Sequence, residues 1–130
     1  MSGNKIFLDT NIIIELFAGN EVIADKLKQL RAFYISPIVL GELYVGINRV
    51  VNKNKHLLKL NSFLELCDVA EIDKTTAQIF GEITVALYKK GKPIPANDIW
   101  IAASVKQYDL TLISRDKHFD EIDHILTENW

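Results

Sequence analysis

The chain is poor in cysteine, proline, glycine and excess positive charge, and each shortage closes off a class of protein. Cys67 stands alone, so an intrachain disulfide and a thiolate metal cluster are both excluded, and a reducing compartment fits best. Three prolines and six glycines in 130 residues leave no linker, low-complexity tract or internal repeat. Fifteen Lys and Arg against 17 Asp and Glu give a net charge of −2 and a pI near 5.9, so no global basic field advertises nucleic-acid binding. A nucleic-acid role would have to rest on a metal site and local patches. No apolar run approaches the roughly 20 residues that span a bilayer, and Asp9 interrupts the first one, so a signal peptide, a membrane span and a membrane role are not expected. A soluble, cytoplasmic protein is the expectation.

What is present is globular: 48% hydrophobic and 25% charged residues. The length suits one domain, 1–130, able to bury roughly two-thirds of its unfolded surface. Ile6-Phe7-Leu8 reads as a buried strand ending in Asp9-Thr10-Asn11, and Ile12-Ile13-Ile14 opens a short helix that stops at Gly19-Asn20. Val22, Ile23, Leu27 and Leu30 recur at helical spacing up to Arg31-Ala32, and Phe33-Tyr34-Ile35 is β-prone. Ser36-Pro37 has the form of an N-cap followed by Pro at the first helical position, with Ile38, Val39, Leu43, Ile47 and Val50 expected inward. Leu57, Leu58, Leu60, Phe63, Leu64 and Leu66 make the stripe of a further helix, before a third strand at Val69-Ala70-Glu71-Ile72. Asp73 to Gly91 is the longest amphipathic stretch; a helix through Asn97–Val105 follows, then a strand at Thr111–Ser114 and a weaker closing strand from Ile122 to Leu126. Strands alternating with helices predict an α/β three-layer sandwich, α/β/α, with a central parallel sheet.

Four acids occupy unusual positions in this scheme. Asp9 and Asp116 each follow a β-like apolar run, Glu42 lies on a helix among apolar neighbours, and Asp98 sits in a first helical turn after Pro95. In a parallel sheet, ligands gather at the carboxyl ends of the strands, so Asp9 and Asp116 are expected at one crevice, with Glu42 and Asp98 brought to the same edge by their helices. Clustered carboxylates repel and must take up protons or bind cations. With oxygen ligands and no thiolates, Mg2+ is the natural partner and Mn2+ an alternative, which points to phosphodiester cleavage. The plain readings compete: a helix cap for Asp9, favourable placement in the helix dipole for Asp98, a surface glutamate for Glu42, a turn residue for Asp116.

The order Leu8-Asp9-Thr10-Asn11, Gly41-Glu42-Leu43, Asn97-Asp98-Ile99-Trp100-Ile101-Ala102-Ala103 and Ser114-Arg115-Asp116-Lys117-His118-Phe119 resembles the PIN-domain nucleases, and most of all the VapC-type toxins of toxin–antitoxin pairs. The resemblance covers essentially the whole chain. It implies that Asp9, Glu42, Asp98 and Asp116 hold one or two divalent cations. It also implies that Thr10 or Asn11 supports the first acid, that Ser114 supports the site or a phosphate, and that Asn97 orients a ligand. The implied activity is endoribonuclease cleavage of RNA, silenced by a cognate antitoxin, in a protein that forms a homodimer. Trp100 is bulkier than many relatives carry there, and no basic tail is evident.

Substrate capture would then use Arg49, Lys53, Lys55, His56 and Lys59, or Lys89-Lys90-Gly91-Lys92, although such runs are commonly just solvated helix ends. Arg115 is the nearer candidate for a phosphate contact or for partial neutralisation of the acids, and His118 is expected to support the site rather than act as a general base. Phe17, Tyr44, Leu57 and Phe63 are candidates for an antitoxin groove, against a plain core reading. Two alternatives stay open: a PIN-fold nuclease in RNA processing, and a catalytically silent module binding antitoxin or RNA. A dehalogenase-type phosphatase fails because position 11 is Asn rather than a second acid, and a receiver domain fails because no acid pair accompanies Asp9.

Overall fold

The computed structural model describes residues 5–130. Its first strand, β1 (Lys5–Leu8), is followed by α1 (Thr10–Phe17), α2 (Glu21–Lys28), β2 (Ala32–Ile35), α3 (Pro37–Asn48) and α4 (Lys53–Leu64). The short β3 (Asp68–Val69), α5 (Lys74–Lys90), α6 (Ala96–Gln107) and β4 (Thr111–Ile113) come next, then a 3-10 turn (Lys117–Glu121) and β5 (Leu126–Glu128). The five strands form one sheet of order β3-β2-β1-β4-β5, parallel throughout. The chain steps outward from β1 to β2 and β3, then returns across to β4. Right-handed crossovers in opposite directions put their helices on opposite faces, which makes the expected three layers.

The strand order reverses between β1 and β4, where Phe7 pairs with Leu112 and Leu8 with Ile113. These two strands are buried on both faces, with Phe7, Leu8, Leu112 and Ile113 fully enclosed, as central parallel strands require. Each such side chain contributes about 1.5–3 kcal/mol of burial free energy. Above them, Ile101, Ala102 and Ala103 of α6 are wholly buried, the small residues letting the helix approach the sheet. Trp100 stacks on Phe80 of α5 with ring centroids 4.1 Å apart, so its extra bulk is absorbed in the α5–α6 contact.

Helix ends follow local chemistry. Asp73 and Thr76 form a reciprocal capping box at the start of α5, and Gly91 ends it in the left-handed region at φ 69°. Asn20 Oδ1 accepts from Ile23 N and starts α2. Ser36 occupies the N-cap position of α3 with Pro37 behind it, but its hydroxyl makes no capping bond and is buried without a partner.

Several apolar expectations are corrected. Val22, Leu58 and Leu66 are exposed, as are Val85 and Val50, the last lying beyond the end of α3. These residues fit the period of a stripe wider than the one the sheet covers. The second helix ends at Lys28, and Ala32 already belongs to β2. The closing strand is displaced: Ile122 is buried just after the 3-10 turn, and β5 starts at Leu126, with all three of its residues exposed. Solvent on both sides of an edge strand removes the alternation by which it would be recognised.

Candidate metal centre

The reversal of strand order opens a crevice above β1 and β4, and Asp9 stands at its floor. It caps α1, so its Oδ1 accepts from Thr10 N at 2.8 Å, while its Oδ2 accepts from Ser114 Oγ at 2.6 Å. The residue is 5% exposed. Burial pushes its carboxyl above the ordinary range, against the two hydrogen bonds, and the negative charges of Asp98 and Glu42 push the same way. Ser114, at the end of β4, also accepts from Asp116 N at 3.0 Å, so one hydroxyl ties the ends of two central strands to two acids.

Thr10, in the first turn of α1, turns its hydroxyl the other way and donates to Glu42 Oε1 at 2.7 Å. Glu42 is half-buried on α3, and this bond locks α3 against α1. Asp98 lies in the first turn of α6 with 13% of its side chain exposed. Its carboxyl is also raised, first by burial and then by Asp116 and Glu42, with His118 opposing. Asp116 starts the 3-10 turn, its Oδ1 accepting from His118 N at 2.9 Å. The His118 ring lies between the two acids, Nδ1 2.8 Å from Asp98 Oδ2 and 3.1 Å from Asp116 Oδ1. The hydrogen bond to Asp98 leads the effects that raise the affinity of His118 for a proton.

All four acids therefore meet at one sheet edge, but not equally tightly. Asp98, Asp116 and His118 present ligand atoms within 4.8 Å of one another, while Asp9 and Glu42 flank that group through their hydroxyl-held carboxylates. Among the described residues no lysine or arginine pairs with any of the four. A carboxylate cluster without a fixed cation, built from hard oxygen donors, fits a divalent metal ion.

The other candidates divide. Asn11 stays close, its Oδ1 accepting from Arg115 N at 3.5 Å. Asn97 is exposed and joins none of these hydrogen bonds. Arg115 turns away from the acids: its guanidinium donates to the main-chain oxygen of Trp130 at 2.9 Å and pairs with Glu15 at 3.4 Å, so it does not neutralise the cluster. The position of His118 between two acids was not legible, because a lone histidine in sequence has no ligand spacing to mark it. The adjacency of Glu42 to Thr10 was equally hidden, being a contact between helices 32 residues apart.

Beside Glu42 runs a groove of about 360 Å3, floored by Ile14, Phe17, Leu43 and Ile47 and rimmed by His56 and Lys59. Of the residues expected to form it, Phe17 does; Phe63 is instead core, packed edge-on against Phe17 at 5.5 Å. The basic runs are partly spent: Lys59 donates to Phe17 O, Lys90 to Glu121 O, and Lys92 pairs with Glu121. Among the described residues no helix is long and apolar enough to cross a membrane.

Comparison with known proteins agrees with this architecture. The Ribonuclease VapC2 of Haemophilus influenzae is 30% identical over 129 residues, covering 97% of this chain and 98% of its own length. A Ribonuclease VapC2 of Rickettsia felis is 30% identical over 138 residues, covering 95% and 96%. The crystal structure of VapBC2 from Rickettsia felis, bound to a DNA fragment from its promoter, superposes with a TM-score of 0.92 at 27% identity, over 97% of this chain and 98% of that one. A family model for the PIN domain matches residues 6–125, and the chain belongs to the PIN-domain family.

Proposed function

We propose that the protein is a metal-dependent endoribonuclease, the toxin of a toxin–antitoxin pair, working as a single PIN domain. One observation carries the reading: four carboxylates from four separate elements meet at one sheet edge, and among the described residues no lysine or arginine pairs with them, only the exposed His118 standing between Asp98 and Asp116. The ribonucleases similar to it over nearly their full length support the same class of reaction.

Asp98 and Asp116 are the main metal ligands, and Asp9 and Glu42 complete the set. When bound, Mg2+, or Mn2+ in its place, supplies a Lewis acid that makes water nucleophilic and offsets phosphate charge. The chain's own residues do the positioning. Ser114 holds Asp9 Oδ2 and Thr10 holds Glu42 Oε1, which fixes both carboxylates in place. His118, exposed and set between Asp98 and Asp116, marks where these two acids would hold the ion. Asn11 keeps the Arg115 main chain in register, Asn97 offers an amide beside Asp98, and Arg115, held by Trp130 and Glu15, fixes the rim next to Asp116.

The apolar groove ending at Glu42 suits an amphipathic antitoxin segment, with a basic side chain of that partner reaching the acids. The similarity to VapBC complexes supports such a partner. Exposed Val45 on α3 and Val85 and Tyr88 on α5 support a homodimer. The lone reduced cysteine supports a cytoplasmic setting.

The test is cleavage of RNA by the wild type, Asp9→Asn and Asp98→Asn in Mg2+, with ends mapped by primer extension. Both variants are expected to lose cleavage while melting at or above the wild-type temperature in EDTA. Full cleavage by either variant, or by the wild type in excess EDTA, overturns the reading.

A further inference from the structure

A second cavity adjoins the acids and shares Ser114, Arg115 and Asp116 with the site above. It lies at the carboxyl ends of β4 and β5, encloses about 210 Å3, and is lined among others by Ser114, Asp116, Lys117, Asp120, Glu128 and Asn129. Ser114 and Asp116 belong to both places: the hydroxyl that holds Asp9 also receives the Asp116 N–H. Whatever enters the cavity therefore lies against Asp116, one of the proposed metal ligands. Pockets for drug-sized ligands run to about 300–1,000 Å3, so this one is scaled to a smaller planar group such as a single nucleobase.

We infer that the cavity receives an unpaired base next to the scissile phosphate, and that Asp120 and Glu128 make it selective for guanine. The inference rests on the ribonuclease reading and names a specificity site for it. Sequence-specific RNA recognition works mostly on splayed-out bases read along their hydrogen-bonding edges. Asp120 and Glu128 are exposed, and neither side chain is engaged in a hydrogen bond or ion pair among the described residues. Nor is their charge cancelled by Arg115, which is committed to Glu15 and Trp130.

An ionised carboxylate only accepts hydrogen bonds. Guanine alone presents two adjacent donors, N1–H and the N2 amino group, to such a fork. Adenine and cytosine place a ring acceptor beside their amino group, and uracil flanks its one N–H with carbonyls. Each of those sets a lone pair against the carboxylate. Because the base is neutral, the acids do not repel it, while Lys117 on the same rim suits the phosphate. All three β5 side chains are exposed, so Glu128 is free of packing demands.

The experiment uses the full chain with Mg2+ and a set of single-stranded RNAs carrying one guanine in otherwise fixed sequence, moved along the strand or replaced by inosine or adenine. Cleavage is expected at a constant offset from guanine. Inosine, which lacks the N2 amino group, is expected to lower the rate roughly tenfold or more, the worth of one hydrogen bond to a charged group. The double variant Asp120→Asn/Glu128→Gln is expected to flatten the guanine-to-adenine ratio, with its melting temperature confirming the fold. In parallel, 5′-GMP is titrated into the metal-free protein in EDTA and followed by amide NMR, with 5′-AMP as control. GMP is expected to shift the Thr127 and Asn129 amides selectively.

Cleavage without a constant-offset guanine preference, a preference surviving in the double variant, or equal shifts by both nucleotides overturns the inference and leaves the nuclease reading standing. Selective GMP shifts with no cleavage of any RNA uphold the cavity's selectivity and overturn the nuclease reading instead.

Discussion

Buried hydroxyls sort the polar interior of this protein by what they hold. Ser114 donates to Asp9, and Thr76 to Gln107, so both groups are compensated for leaving water. Ser104, wholly buried in α6, has like Ser36 no partner among the described residues. A buried hydroxyl without a partner costs about 1–3 kcal/mol, and alanine is the better helix former. Ser104→Ala is therefore expected to raise unfolding free energy by about 1 kcal/mol in urea titration; a loss of similar size would mean that the hydroxyl is satisfied. Ser114→Ala removes a donor from Asp9 and should act in the opposite direction on cleavage. At this scale the acids were legible because each interrupts an apolar run or starts a helix after one. His118 was expected to support the site, but its place between Asp98 and Asp116 was not legible, because it is set by the meeting of α6 and the 3-10 turn.

At the scale of elements, the well-read ones carry punctuation, while β3, expected at Val69–Ile72 but found at Asp68–Val69, and β5 do not. Helix α5 runs from the Asp73 capping box to Gly91 as expected, and α3 begins at Ser36-Pro37. β5 lacks both a cap and a buried face, so its place at Leu126–Glu128 follows from pairing with β4 and from nothing in its own pattern. Two glycines of α5 show what punctuation is worth. Gly91 sits at φ 69°, where a side chain is strained, so Gly91→Ala is expected to cost about 1 kcal/mol. Gly81, mid-helix, has nothing within 4 Å of where a Cβ would stand, so Gly81→Ala is expected to gain about 0.5–1 kcal/mol. Denaturant midpoints of the two variants should move in opposite directions; movement in the same direction would refute the contrast.

For the molecule as a whole, the acid site makes stability depend on pH and metal together. The carboxyls of Asp9 and Asp98 are raised chiefly by burial, so the folded chain holds protons more tightly there than the unfolded chain does. Their stabilising effect is complete below the unfolded value of about 3.9 and is lost as pH rises through the raised folded values. His118, raised first by Asp98, works the same way: its contribution is present below about 6.5 and fades as pH climbs through its folded value. Asp73 is lowered, first by its bond from Gln107, so its contribution is lost only on acidification below about 3.9 and leaves the range above untouched. In EDTA the wild type is thus expected to melt higher at about pH 5 than at pH 8. A divalent ion that binds only the folded state adds about 2.7 kcal/mol at a hundredfold excess over its Kd. Protons compete for the same oxygens, so Mg2+ should raise the melting temperature most at pH 8 and flatten the slope seen in EDTA. Asp98→Asn should lose much of both responses, since it removes a titrating carboxyl and a proposed ligand in one substitution. A melting temperature at pH 8 that Mg2+ leaves unmoved in the wild type would separate the acid cluster from metal binding altogether.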